Sequence, residues 1–167
     1  MSRVLYFAYG SNLLSRRLQA RTPSARPLGV GGLRSHVLRW HMAGSDGSAK
    51  CDVVPVGDSA SQVLGVVYEL ALAEKPALDA AETLGVGYRK TEVSIEMAGG
   101  SMQAWVYLAL DTDPRRAPYD WYKAFVVNGA KEHGLEAGYV RMLEAVRAVP
   151  DPDARRAEMN FRLSRSG

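Results

Sequence analysis

Six or so short β-type segments crowd the first 110 residues of this chain, and after them the spacing becomes helical. That division limits the fold more than any other feature. Val4–Tyr9 (VLYFAY) is β-branched and aromatic and reads as a buried strand. It stops at Gly10-Ser11-Asn12, where Ser and Asn can cap, and Leu13, Leu14, Arg17 and Leu18 then keep helical spacing. Thr22–Gly32 is Pro- and Gly-rich and reads as connection, Leu33–Met42 as a strand, and Gly44–Lys50 as a turn. Cys51–Val56 and Val63–Leu70 are two further apolar strands. Ala73–Leu84 holds strong helix formers with Pro76 in a first turn, and Gly85 and Gly87 close it. Glu92–Met97 alternates polar with apolar residues, Gly99-Gly100 signals a hairpin, and Met102–Leu110 is the return strand. Tyr119–His133 then reads as a helix, with Tyr122, Phe125 and Val126 on one face. Tyr139, Met142, Leu143 and Val146 give the i, i+3, i+4, i+7 pattern of another. Pro150 ends it, and the charged segment Asp151–Gly167 is expected to be a loose or peripheral tail.

Strands followed by helices, without a repeat or a low-complexity linker, predict an α+β fold whose mixed sheet can close into a barrel. A dinucleotide-binding α/β fold is excluded, because the first turn lacks GxGxxG and no regular βαβ alternation follows. At 167 residues, one domain is the default, and 47% apolar with 23% charged residues is ordinary globular composition. No apolar run approaches the ~18–20 residues that span a bilayer, and the first residues are broken too soon for a signal peptide. Cys51 is the only cysteine, so neither an internal disulfide nor a cysteine zinc cluster is expected. The expectation is a cytoplasmic domain with no membrane partner.

The net charge of +3 is unevenly placed. Arg3, Arg16, Arg17, Arg21, Arg26, Arg34 and Arg39 precede every one of the eighteen acids. Such a stretch suits nucleic acid, or draws a small anion toward a cleft. The plainer alternative, a solvated face balanced by acids from later in the chain, is favoured, because no nucleic-acid signature accompanies the arginines.

Three features carry chemistry. The Gly turn at Tyr9–Asn12 joins a strand to a helix and leaves backbone N–H groups without intrahelical partners, a setting for a carboxylate or a developing oxyanion; a plain turn is the alternative. Ser11 is a weak nucleophile candidate, because GxSxG is absent. Glu82 shares a helix face with Leu78 and Ala81, while Asp79 points elsewhere. A carboxylate on such a stripe is at the rim, ion-paired with an arginine, or desolvated toward a general base. Of the eight tyrosines most should be core, with one or two in a polar pocket. His36, His41 and His133 show no ligand spacing, so no metal site is expected.

YFAYGSNLL at Tyr6–Leu14 resembles the opening signature of the γ-glutamylcyclotransferase family. Later stretches agree in order: VLGVVYEL at Val63–Leu70, LDAAETLGVGYRKTEV at Leu78–Val93, a strand carrying Tyr107, and APYDWYKAFVVNGAKEHGL at Ala117–Leu135. This last segment looks like the helix of γ-glutamylcyclotransferases proper, with GAKE-x-GL following a tyrosine. The resemblance covers about residues 3–149. It implies a mixed β-barrel flanked by helices, and an enzyme that cyclises a γ-glutamyl-amino acid to 5-oxoproline and frees the amino acid. It further implies no cofactor and no metal, a small γ-glutamyl substrate rather than nucleic acid, and a homodimer, as close relatives often are. Carried over by position, Glu82 matches the catalytic acid/base. Tyr6, Phe7, Ala8, Tyr9, Gly10, Ser11 and Asn12 match the substrate-cradling loop, and Tyr107 and Tyr122 match tyrosines lining the cavity. Gly often follows the family's glutamate, whereas Thr83 stands here. Rival readings are a γ-glutamylamine, glutathione or a γ-glutamyl-protected metabolite as substrate, and a non-catalytic ligand-binding module on the same fold.

Overall fold

Arg3–Ala8 forms the first strand (β1), whose alternate side chains must face two environments, and a second hydrophobic layer is supplied by distant strands. The computed structural model describes residues 2–165. Strands β2 (Arg26–Arg34), β5 (Gln62–Ala71), β6 (Tyr88–Met97) and β7 (Gly100–Ala109) join β1 in a closed barrel. Between β2 and β5 in sequence lie β3 (His36–Ala43) and β4 (Ala49–Pro55), an antiparallel pair outside the barrel. The barrel order is β1-β5-β2-β6-β7. Its neighbours run antiparallel except at the closure, where Tyr6 of β1 meets Trp105 of β7 in parallel. The sheet is therefore mixed, as expected. Phe7, Val66, Val67, Ile95 and Val106 are fully buried members of the core.

Two sequence expectations fail around β2. Thr22–Gly32, read as connection, supplies most of a strand. Its Gly31 faces Ile95 of β6 so closely that a Cβ there would overlap Ile95 Cγ2, so the glycine marks close packing rather than a loop. Leu33–Met42, read as one strand, is two. Ser35 has φ 56°, in the left-handed region, which breaks the ladder and sends β3 away from the barrel to pair with β4.

A 3-10 turn at Ser11–Leu13 leads into α1 (Ser15–Gln19). Helix α2 (Lys75–Ala81) is shorter than expected; Glu82 is its C-cap and Thr83 follows at φ 48°. Helix α3 (Asp120–Glu132) buries Trp121, Tyr122, Phe125 and Val126, and Gly134 at φ 67° ends it. Helix α4 (Ala137–Glu144) buries Tyr139, Val140 and Leu143, but Met142 of the expected apolar stripe is exposed. The charged tail is not loose where it is described: Ala154–Arg165 forms α5, packed against α3 and α1. Residues 166 and 167 of that segment lie outside the described residues. The Asp151 carboxylate anchors this last helix. It accepts hydrogen bonds from Trp121 Nε1 at 2.7 Å and from Arg156 Nε and Nη2 at 2.7 and 2.6 Å. No helix among the described residues is long and apolar enough to cross a membrane.

The GAKE segment has a structural reading. Gly129 lets α3 lie directly on Leu13 and Leu14; a Cβ there would stand 2.5 Å from Leu13 C. Glu132 Oε2 accepts the Ser15 N–H at 3.0 Å, satisfying a free donor at the start of α1. Lys131 pairs with Glu144 at 2.6 Å, tying α3 to α4. This motif is the platform on which the Gly10 turn rests.

Candidate active site

Beyond β1, the chain turns at Gly10 and enters the 3-10 turn with Ser11 and Asn12 buried. Neither caps it; the cap is Gly10, and no side-chain bond serves it. Asn12 instead reaches across the barrel mouth. Its Nδ2 donates to Tyr6 Oη at 3.0 Å and to Glu82 Oε1 at 2.9 Å. Its Oδ1 accepts from Arg21 Nη1 at 3.1 Å, and the same nitrogen donates to Glu82 Oε1 at 2.8 Å. A guanidinium only donates and a carboxylate only accepts, so these partners settle which way the Asn12 amide points. Of the three settings open to Glu82, the structure shows the ion pair, with the Glu82 side chain 15% exposed. Both contacts fall on Oε1, and Oε2 has no hydrogen-bond partner among the described residues.

Two adjoining cavities meet at Glu82. The inner one, about 20 Å³, is walled by Tyr6, Tyr9 and the Gly10–Asn12 turn, with Cys51, Tyr88, Tyr107 and Tyr122 completing it. It holds roughly one water-sized group. The outer one, about 350 Å³, is of a size that takes a small molecule. Ser11, Glu82, Tyr88 and Tyr122 border both. The structure thus gathers most of the residues singled out in the sequence around one centre. Phe7 and Ala8 stand apart: both are fully buried and neither borders either of these two cavities. Strand alternation turns Phe7 to the face opposite Tyr6, toward Gly65, and the Ala8 side chain is a single carbon.

The hydroxyls of the inner wall differ in polarity. Tyr9 donates to the Tyr107 carbonyl, and Tyr88 to the Cys51 carbonyl at 2.8 Å, so both protons are committed. Tyr107 donates to Asp79 Oδ1 at 2.6 Å and keeps its lone pairs as acceptors. Tyr6 accepts from Asn12 and keeps its proton as a donor. Burial, with the Glu82 charge, pushes the Tyr6 hydroxyl up, and burial with the Asp79 bond does the same to Tyr107. Both remain neutral hydroxyls. The Cys51 thiol is also pushed up by burial, which makes it a poor nucleophile.

Asp79 itself does not point away from this centre. It accepts from Tyr107 and pairs with Lys90 Nζ at 2.8 Å and Lys75 Nζ at 3.4 Å. Burial alone would raise its carboxyl, but the Lys90 and Tyr107 bonds outweigh that and hold it below its ordinary value. No group of three or more His, Cys, Asp or Glu side chains that could hold a metal ion occurs among the described residues.

Over 157 aligned residues the chain is 32% identical to the mouse γ-glutamylcyclotransferase, covering 85% of this chain and 78% of the other. The chain belongs to the γ-glutamylcyclotransferase family. It is an enzyme of the cyclotransferase kind. The human γ-glutamylcyclotransferase matches with the same identity and coverage. A solved γ-glutamyl cyclotransferase structure superposes with TM-score 0.84 at 26% identity, spanning 96% of this chain and 99% of that one. The model of the AIG2-like family matches residues 62–143.

Within this cyclotransferase, sequence reasoning missed Cys51 and Tyr88 at the inner cavity, Asp79 as the acceptor behind Tyr107, and Arg17, Arg21 and Lys50 at the outer cavity. The i, i+3 spacing of Asp79 and Glu82 was a readable signal. For Arg21 there was none, because it meets Glu82 across 61 positions of chain. Four of the seven arginines at the start meet acids from later in the chain: Arg3 and Arg26 pair with Glu69, Arg34 with Glu96, and Arg21 with Glu82.

Proposed function

We propose that this cyclotransferase converts a γ-glutamyl-amino acid to 5-oxoproline and a free amino acid, with Glu82 as general acid/base. The observation that carries the reading is the setting of Glu82, one oxygen gripped by Arg21 and Asn12, between a hydroxyl that can donate and one that can accept. The substrate brings its own nucleophile, the α-amine, a five-membered ring closure from the γ-carbonyl. The protein must hold the folded conformer, take one proton, stabilise an oxyanion and return a proton to the leaving nitrogen. Glu82 Oε2 takes the proton of the α-ammonium while the Tyr107 lone pairs accept a second N–H. The amine nitrogen bonds to the γ-carbon, and the carbonyl electron pair moves onto oxygen. The Tyr6 hydroxyl and the N–H groups of Ser11 and Asn12 are the donors for that oxygen or for the α-carboxylate. When the intermediate collapses, Glu82 protonates the departing amine as the γ-carbon–nitrogen bond to it breaks, and the regenerated carboxylate takes the second proton from the ring nitrogen and passes it to the freed amine, which leaves neutral 5-oxoproline and an ammonium.

Incubation of wild type and Glu82→Gln with γ-glutamyl-amino acids, γ-glutamylamines and glutathione, with 5-oxoproline read by mass spectrometry, tests the reading. The amide keeps the shape but cannot take the proton, so turnover should fall about 10²–10⁴-fold with the thermal transition retained. Near wild-type turnover by Glu82→Gln would sink the assignment. The family resemblance extends the proposal to a cytoplasmic homodimer serving glutathione metabolism, and sedimentation velocity tests the dimer.

A further inference from the structure

The walls of the outer cavity carry three cations, and two of them are already compensated. Lys50 Nζ pairs with Asp46 Oδ2 and donates to Ser48 Oγ, both at 2.8 Å. Arg21 pairs with Glu82. Arg17 is the exception. Its guanidinium lies 4.5 Å over the Phe125 ring, and Nη1 reaches the neutral Asn160 Oδ1 at 3.4 Å. It has no acidic partner among the described residues, and its Nε is buried without any hydrogen-bond acceptor. Burial, reinforced by the Arg21 charge, lowers its pKa to about 10. A half-buried guanidinium in this state is held at a cost, and an anion in the cavity would relieve it.

Position says which anion. Arg17 on α1 and Arg21 in the turn just after that helix border the same cavity, and Arg21 grips the proposed acid/base. In an α-amino acid the nitrogen and the carboxylate carbon are separated by one Cα. A leaving nitrogen at Glu82 therefore carries its carboxylate into the outer cavity, where Arg17 is the cation with no acidic partner among the described residues. We infer that Arg17 receives the α-carboxylate of the leaving amino acid and so selects γ-glutamyl-amino acids over γ-glutamylamines. This inference rests on the cyclotransferase reading above. Arg17 is then a specificity residue on the cavity wall, its guanidinium packed over the Phe125 ring.

The test compares two substrates that differ by the carboxylate alone, γ-glutamyl-L-alanine and γ-glutamylethylamide. With wild type, kcat/KM should favour the alanine substrate by roughly 10–100-fold, the range of one charge-assisted hydrogen bond. Arg17→Gln should collapse that ratio toward unity, and Arg17→Lys should restore part of it. A wild-type ratio near one overturns the inference whether or not the variants fold. Equal loss on both substrates in Arg17→Gln also overturns it, because a merely structural role would cost both alike. If wild type yields 5-oxoproline from neither substrate, the underlying reading fails, and that outcome is distinct from a ratio of one.

Discussion

Replacing Gly129 by alanine tests the claim that α3 is the platform of the substrate turn. In an ordinary helix interior this change is favourable by about 1 kcal/mol, because alanine loses less backbone entropy. Here a Cβ would stand 2.5 Å from both Leu13 C and Leu13 Cβ, and it would overlap Leu14 N. Two of these three atoms are backbone and cannot rotate aside. Overpacking of this kind costs roughly 1–3 kcal/mol, and rigid neighbours put it at the upper end, so the net loss is about 2 kcal/mol. For a chain of this length that lowers Tm by about 4–8 °C. Thermal unfolding followed by circular dichroism measures it, with Gly138→Ala as the control. Gly138 is exposed on α4 and its added Cβ would meet nothing closer than Arg141 Nη2 at 3.8 Å, so Tm should rise by about 1–4 °C. Turnover by Gly129→Ala should also fall at temperatures where it is fully folded, since pushing Leu13 away moves Ser11 and Asn12 relative to Glu82. A Tm at or above wild type would refute the close contact and the platform with it.

Thr83 is a β-branched, exposed residue at φ 48°, a conformation costing roughly 1–2 kcal/mol for an L side chain. Thr83→Gly should raise Tm by about 1–4 °C once the entropy of the unfolded glycine is deducted, and an unchanged or lowered Tm would show that Thr83 is not strained. The Asp151 carboxyl is held far below the ordinary carboxylate range, chiefly by its Arg156 bonds. Its folded pKa lies below its unfolded one, so its stabilisation is complete above about pH 4–5 and is lost as the pH falls through the folded value. Urea midpoints for wild type should therefore drop on acidification more steeply than those of Asp151→Asn, and parallel curves would count against the linkage. Asp79→Asn leaves Tyr107 without its charged acceptor, so the hydroxyl can rotate its proton into the cavity. We expect kcat to fall at least about tenfold with little change in Tm, and an unaltered kcat would remove Asp79 from the positioning of Tyr107.

What could be read in advance divides along the range of the forces involved. The VLYFAY strand, the Gly10 turn, the β6–β7 hairpin and the start and stop of α3 are governed by neighbours a few residues away, and all are where their patterns indicate. Strand β2 was hidden because its Pro and Gly residues resemble a loop; Gly31 is demanded by Ile95, a contact that local pattern does not contain. Helix α5 was hidden because most of its residues are polar: few apolar side chains, Ala157, Phe161 and Leu163, pack on the core, and its start is anchored by the Asp151 bonds to Trp121 and Arg156. The same holds in the site. Tyr6, Gly10, Ser11, Asn12, Glu82, Tyr107 and Tyr122 were legible through a family signature, while the partners that give them direction were not.

By itself the sequence determined the kinds of segment, their order, and the presence of a carboxylate, a glycine turn and several tyrosines suited to one chemistry. Only the tertiary structure decided that Glu82 is ion-paired, that Tyr6 is left with a free proton where Tyr107 is left with free lone pairs, and that Arg17 has no acidic partner among the described residues. The polarity of a hydrogen bond and the compensation of a buried charge are properties of pairs. In this chain the members of those pairs are brought together by barrel closure and helix docking, across separations that no local periodicity records.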